Sequence, residues 1–281
     1  MVLNFGSINI DHVYTVQHFV RPGETIASRG YRRFPGGKGF NQSVALARAG
    51  ASVAHAGAVG QDGLWLVEYL RQCGVATERI AVMDDAPTGN AIIQVDENGQ
   101  NAILLEGGAN QRITAEAARA AVAPFGAGDL LLTQNETAAV PDLLRAAKAR
   151  GMTVAFNPAP MDAAVLAYPL DLVDILIVNE IEGAAIATPP HRRGEPVCSP
   201  PHDTIVALRE RFPQTLIALT LGKDGAIISE PSVNLFHLSA LPVTAVDTTA
   251  AGDCFIGYFL AALAENVSPR AAAAHAINAA A

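Results

Sequence analysis

The chain has 281 residues, half of them hydrophobic and only 6% aromatic, which fits one large α/β domain with an appendage or two small domains. A formal net charge of −8, with no block of lysine or arginine, excludes nucleic acid as a default partner. Cys73, Cys198 and Cys254 lie far apart, so no disulfide framework is expected; with no signal peptide and no long uncharged apolar span, a cytoplasmic protein is expected.

In chain order, short apolar runs predict strands over 2–8, 52–59, 129–133, 153–156, 175–178, 216–220 and 226–229. Amphipathic spacing predicts helices over 41–48, 64–73, 115–122, 140–150, 204–211, 254–264 and 270–280. This alternation reads as an α/β fold, a mostly parallel sheet between two layers of helices. Two stretches break the rhythm. Residues from about 13 to 34 contain Pro22-Gly23 and lack helix periodicity, and Asp96-Glu97-Asn98-Gly99 is a hairpin signal between two strand-like runs. Together 13–34 and 89–106 are expected to form a small antiparallel β lid beside the main body of a single domain spanning 1–281. The proline-rich stretch 188–201 reads as a surface loop, and the spacing of His191, Cys198 and His202 matches no zinc pattern.

Polar residues recur where the predicted strands end: Asn9 and Asp11, Gln134-Asn135-Glu136, Asn157, Asn179 and Glu182, then Thr220, Gly222 and Gly225. In an open parallel sheet the ligand crevice lies at the carboxyl ends of the strands. Each residue alone could be a turn or cap; the coincidence points to one site. The segment Asp247-Thr248-Thr249-Ala250-Ala251-Gly252-Asp253 opens the apolar helix of Phe255, Ile256, Phe259, Leu260 and Leu263. Small residues at a helix start leave backbone N–H groups open to an anion. A carboxylate at Asp253 suits removal of a proton from a hydroxyl that attacks phosphorus. Gly36-Gly37-Lys38-Gly39-Phe40-Asn41-Gln42 opens the first helix, yet Arg32 and Gly39 break the P-loop pattern and Gln42 breaks the dinucleotide fingerprint. What remains is a closely approachable backbone, one cation and an amide that can read a sugar hydroxyl.

With GSINID at 6–11, TGNAIIQVDENGQN at 88–101, FNPAP at 156–160 and TLGKDGA at 220–226, these motifs resemble the ribokinase family of carbohydrate kinases over essentially the whole chain. The resemblance implies the three-layer ribokinase-like fold and an ATP-dependent kinase that moves the γ-phosphate to the primary hydroxyl of a pentose, D-ribose giving ribose 5-phosphate. It implies Asp253 as the base, with Ala250, Ala251 and Gly252 forming the anion hole. Asn9, Asp11, Gly37, Lys38, Asn41, Glu136 and Asp253 would hold the sugar. Asn179, Thr220, Gly222, Gly225 and Asn278 would line the ATP site. Asn179 and Glu182 would organise Mg²⁺ through water, and Asp247 and Thr249 match positions that bind K⁺. A homodimer through the lid is implied as well.

The family pattern continues past Ala281 with a further strand and helix, so the C-terminal end of the fold is expected to be missing. That leaves a rival of another class, a non-catalytic sugar-binding pseudokinase. Within the enzymes, a kinase for a nucleoside or a 2-keto-3-deoxy sugar acid stays open, the first wanting lid aromatics and the second an arginine from Arg29, Arg32 or Arg33.

Overall fold

A computed structural model describes residues 1–187, 200–231, 234–243 and 250–281. The strands are β1 (Val2–Phe5), β2 (Asn9–Thr15), β3 (Gly30–Gly36), β4 (Val53–Gly60), β5 (Ala76–Met83), β6 (Gly89–Val95), β7 (Asn101–Glu106), β8 (Leu130–Gln134), β9 (Thr153–Asn157), β10 (Ile175–Asn179), β11 (Leu216–Thr220), β12 (Ala226–Ser229) and β13 (Leu235–Leu238). The helices are α1 (Lys38–Arg48), α2 (Leu64–Gln72), α3 (Ala115–Val122), α4 (Val140–Ala149), α5 (Glu180–Ala187), α6 (Pro201–Arg211), α7 (Ala251–Ala264) and α8 (Pro269–Ala280).

The main sheet runs β13-β12-β11-β10-β9-β8-β1-β4-β5. It is parallel from β11 to β5, and β12 and β13 extend it antiparallel. Alternation along each strand feeds two cores. Leu131, Val154, Phe156, Leu176 and Val178 pack with α3, α4, α5 and α6, whereas Leu130, Leu132, Ala155, Ile175 and Ile177 pack with α1, α2, α7 and α8. Each such Leu, Ile, Val or Phe side chain, fully buried, contributes about 1.5–3 kcal/mol. This is the three-layer arrangement the β–α rhythm predicts. From β1 the order grows one way to β4 and β5 and the other way to β8–β11, so β1 and β8 flank the switch point where such folds bind ligands.

The second sheet runs β3-β2-β6-β7. Its outer pairs are antiparallel, as expected of the lid, while its central pair β2–β6 is parallel. The strand expected over 2–8 ends early, at Phe5. A Cβ at Gly6 would lie 2.2 Å from Gln134 Oε1 and 2.6 Å from Gly39 Cα, so the chain leaves the main sheet there, against the start of α1, and re-enters as β2 of the lid. Strand β5 has no sequence signal, because it is an edge strand with mostly exposed residues. Helix α5 was also unforeseen, and the loop expected over 188–201 ends at Pro201, which opens α6; its residues 188–199 lie outside the described ones.

Candidate active site

Helix starts differ in how they are capped, and α4 and α7 both begin at an alanine in the left-handed region. Thr114 and Ser268 cap α3 and α8 by accepting from backbone N–H groups. Ala250 precedes α7 in the left-handed region, with φ 60° and no side-chain cap. A non-glycine residue there is strained, and such strain clusters at functional sites. The uncapped first turn keeps its N–H groups for a ligand. Among the described residues nothing lies within 4 Å of a Cβ built at Gly252.

Asp253 sits in that first turn, only 8% exposed. Its Oδ2 accepts from Asn41 Nδ2 at 3.1 Å and its Oδ1 from Gln42 Nε2 at 2.8 Å. Burial pushes its pKa up, while Lys38 and the two amides pull the other way. Asp253, Ala250 and Gly252 line a cavity of about 180 Å³ together with Lys38, Asn179, Glu182 and Thr220. The starts of α1 and α7 and the ends of β9, β10 and β11, where Asn157, Asn179 and Thr220 stand, therefore meet in one place.

Sugar-side residues gather at the lid junction. Asp11 on β2 has its pKa raised to about 6, by burial first and then by the charge of Glu136. A Cβ at Gly36 would fall 2.2 Å from Asp11 Oδ1, so glycine there gives the carboxylate its space. Gly37 has φ 90°, a turn conformation that aims the start of α1 across the end of β1. Glu136 Oε2 accepts from Lys38 N at 2.9 Å and also from the Ser7 hydroxyl, so this carboxylate caps α1 as well as facing the junction. Asn9 is buried, and its Oδ1 accepts from Asn110 Nδ2 at 2.8 Å. Its side chain is thus tied to the turn Gly108–Arg112 that follows β7.

Asn179 and Glu182 form a reciprocal capping box for α5. Asn179 N and Nδ2 donate to Glu182 at 3.0 and 2.9 Å, and Glu182 N donates to Asn179 Oδ1 at 2.9 Å. The motif therefore has a structural reason beside its place on the cavity. Burial raises the Glu182 pKa, and the charge of Asp253 adds to that. At the far end Thr220 Oγ1 donates to Val178 O at 3.3 Å. Gly225 is required by packing, since a Cβ would stand 1.9 Å from Leu238 O, and Gly222 turns with φ 54° in open space. Asn278 is exposed on α8 and is not among the residues lining this cavity. Asp247 and Thr249 lie outside the described residues. Among the described residues no three His, Cys, Asp or Glu side chains cluster as a metal site, and no helix is long and apolar enough to cross a membrane.

Sequence reasoning gave no site role to Ser7, Gln42, Gln134 and Asn110. Gln42 and Gln134 stood inside motifs already singled out, but polar residues buried away from a cavity carry no signature along the chain.

An uncapped helix start, a buried carboxylate beside it and a cation across the cavity form an arrangement suited to phosphoryl transfer at the switch point of an α/β sheet. The chain belongs to the pfkB family of carbohydrate kinases, whose model matches residues 1–281. It is 36% identical over 271 residues to the ribokinase of Haemophilus influenzae, a match covering 94% of this chain and 85% of that one. A ribokinase from Cryptococcus neoformans solved in complex with ADP superposes with a TM-score of 0.85 at 35% identity, covering 99% of this chain and 92% of the other. Arabidopsis thaliana ribokinase complexed with ribose and ATP gives a TM-score of 0.82 at 26% identity, with coverages of 99% and 90%.

Proposed function

We propose that this protein is an ATP-dependent ribokinase that phosphorylates the primary hydroxyl of D-ribose to give ribose 5-phosphate. The observation that carries the reading is Asp253, a buried carboxylate one residue past Gly252 in the uncapped first turn of α7. Asp253 takes the proton from the attacking hydroxyl. The N–H groups that follow Ala250, with Ala251 and Gly252, stabilise the transferring phosphoryl oxygens, and Lys38 adds a positive charge across the cavity. Asp11, Glu136, Asn41 and the Gly37 backbone hold the sugar at the lid junction, so that its hydroxyl is in line. Thr220, Gly222 and Gly225 border the nucleotide.

The oxygen donors of Asn179 and Glu182 would hold Mg²⁺ through water, as suits a hard ion that keeps most of its waters, and the ion would supply positive charge against the phosphate oxygens. An activating K⁺ held by Asp247 and Thr249 is part of the same proposal; rates in potassium and sodium salts would compare it directly. The lid closes over the sugar to exclude water. Two such lids pair in a homodimer, supported by the exposed Ile103, Leu104 and Leu105 on the edge strand β7. The cysteines described, Cys73 and Cys254, are free thiols, which supports a cytoplasmic setting.

A nucleoside acceptor is disfavoured by the lid itself. His12 and Tyr14 stack with Tyr31 on the face of β2 opposite Asp11, away from the sugar side. The deciding experiment follows ATP consumption with D-ribose, other pentoses, nucleosides and sugar acids, using wild type and Asp253→Asn. D-ribose is expected to turn over fastest, and the variant to lose about 10²–10⁴-fold in kcat while still binding ribose. Wild-type turnover in Asp253→Asn would end the assignment of the base.

A further inference from the structure

Behind Asp253 a row of buried amides leads away from the cavity and across the switch point. Asn4, Gln42, Ser43 and His55 are fully buried, and Gln134 is 1% exposed. Gln42 Nε2 donates to Asp253 Oδ1 at 2.8 Å and makes a longer contact to Asn157 Oδ1 at 3.4 Å. Gln42 Oε1 accepts from Gln134 Nε2 at 2.6 Å, and the same nitrogen donates to Asn4 Oδ1 at 2.9 Å. Asn4 Nδ2 in turn donates to Gly39 O at 2.7 Å and Ser43 Oγ at 2.8 Å.

The polarity of this row is forced at one end. Gly39 O is a backbone carbonyl and can only accept, so Asn4 must present its NH₂ group there and its oxygen to Gln134. Gln134 must then present its NH₂ group to both Asn4 and Gln42, which uses its two N–H bonds. Gln134 Oε1 is left without a hydrogen-bond partner among the described residues, lying where a side chain on Gly6 would clash. An unpaired buried carbonyl is destabilising. The reversed orientation of Gln134 would set its oxygen against two carbonyl oxygens, which is worse. With its own oxygen held, Gln42 can show Asp253 only N–H.

We infer that Gln42 is a positioning residue for the base, and that Asn4 and Gln134 decide which end of its amide faces Asp253. The inference deepens the kinase reading and rests on Asp253 being the base. An N–H on Oδ1 favours the carboxylate and holds its plane, while Asn41 occupies one side of Oδ2. The remaining lone pairs are directed at the cavity where a hydroxyl would bind. Among the described residues, the charged and titratable groups around Asp253 are Lys38 from α1, Glu182 from α5 and the adjacent Cys254 on α7. None of them touches Gln134 or Asn4, so changing those residues alters the amide row without altering the charges.

The test measures kcat and KM for ribose against pH in wild type, Gln42→Met, Gln134→Met and Gln134→Glu, with Ser43→Ala as a variant of equal burial whose loss leaves the Gly39 bond to Asn4 in place. Removing one hydrogen bond to a carboxylate moves its pKa up by roughly one unit. The acid limb of kcat is therefore expected about one pH unit higher in Gln42→Met, and higher by a smaller step in Gln134→Met, with KM for ribose within about twofold. Gln134→Glu keeps the size, and burial without a cation holds it as the neutral acid; its single O–H must then serve two acceptors where the amide had two N–H bonds, so the limb should rise to between wild type and Gln42→Met. Ser43→Ala should lower the melting temperature and leave the limb in place. If Gln134→Met fails to fold, the Gln134→Glu and Gln42→Met profiles carry the comparison. An unmoved limb in folded Gln42 and Gln134 variants, with Asp253→Asn inactive, overturns the positioning role alone. An active Asp253→Asn overturns the base itself.

Discussion

At the residue scale, the site is built from carboxylates held where they prefer to be neutral. Asp253 has its pKa raised by burial, so the base is lost as pH falls through a value above the ordinary carboxylate range. Asp11 shows the same conflict with a stability consequence. Its pKa is about 6 in the folded chain against 3.8 ordinarily, so the folded state binds the extra proton between those values. The sign follows: Asp11 destabilises the free protein above about pH 6, and the penalty fades as pH falls toward 4. Asp11→Asn should therefore raise stability at pH 7.5 by on the order of 1–2 kcal/mol, discounted for its partial exposure, and that gain should vanish near pH 4. The same variant should raise KM for ribose by about 10–100-fold. Melting curves at both pH values and steady-state kinetics check this; a variant that is no more stable at pH 7.5 contradicts it.

At the element scale, the decisive contact is the crossing of α1 and α7. A Cβ on Gly257 would stand 2.4 Å from Ala45 Cβ and 2.8 Å from Leu46 N, so the two helices meet at van der Waals distance only because residue 257 is glycine. One turn back along each helix lie Asn41 and Asp253, which the crossing brings within 3.1 Å. Gly257→Ala should force the helices apart, costing about 1–3 kcal/mol from overpacking. It should also lower kcat more than KM, because the amides of α1 no longer meet Asp253. Denaturant melts with ribose kinetics would show both effects together, and a stability loss with unchanged kcat would separate packing from the site. The capping box of α5 makes the same point. Glu182 ties the helix to Asn179 through backbone and side chain, so the residues proposed near Mg²⁺ are held in place before any ion arrives.

At the scale of the whole molecule, the switch point is sealed by a neutral histidine. Ser43 Oγ bonds to His55 Nδ1 at 2.8 Å while accepting from Asn4, so its O–H points to the ring and His55 Nε2–H donates to Gly6 O at 3.2 Å. Burial depresses the His55 pKa to about 4 from 6.5. The unfolded chain takes up that proton first, so stability present above pH 6.5 is lost as pH falls toward 4, by on the order of 3 kcal/mol. His55→Gln should flatten that part of the acid-unfolding curve, measured by urea midpoints at intervals from pH 7 to 4. The lid provides a second test at this scale. Wild type should run as a dimer in light scattering, and Leu104→Asp, at an exposed edge position, should give a monomer. A wild-type monomer would contradict pairing through the lid.

The sequence by itself determined the layered α/β body, the lid and the motifs at strand ends, because period-2 and helical spacing, Asn-Gly turns and open glycines act over a few residues and leave local marks. Expected helix 115–122 and strands 216–220 and 226–229 match α3, β11 and β12 to the residue. Edge strand β5 was silent because few of its residues are buried, and α5 because Ile181 is exposed while Glu182 is buried, which breaks the apolar helical spacing. Only the tertiary structure decided that Glu136 caps α1, that Asn9 is tied to the turn after β7 and that the lid's central pair is parallel. The orientation of Gln42 is the clearest case. It is set by a backbone carbonyl at Gly39 and by side chains on β1 and β8, 38 and 92 positions away from it. Hydrogen-bond direction passes between segments only when a fold has buried them together.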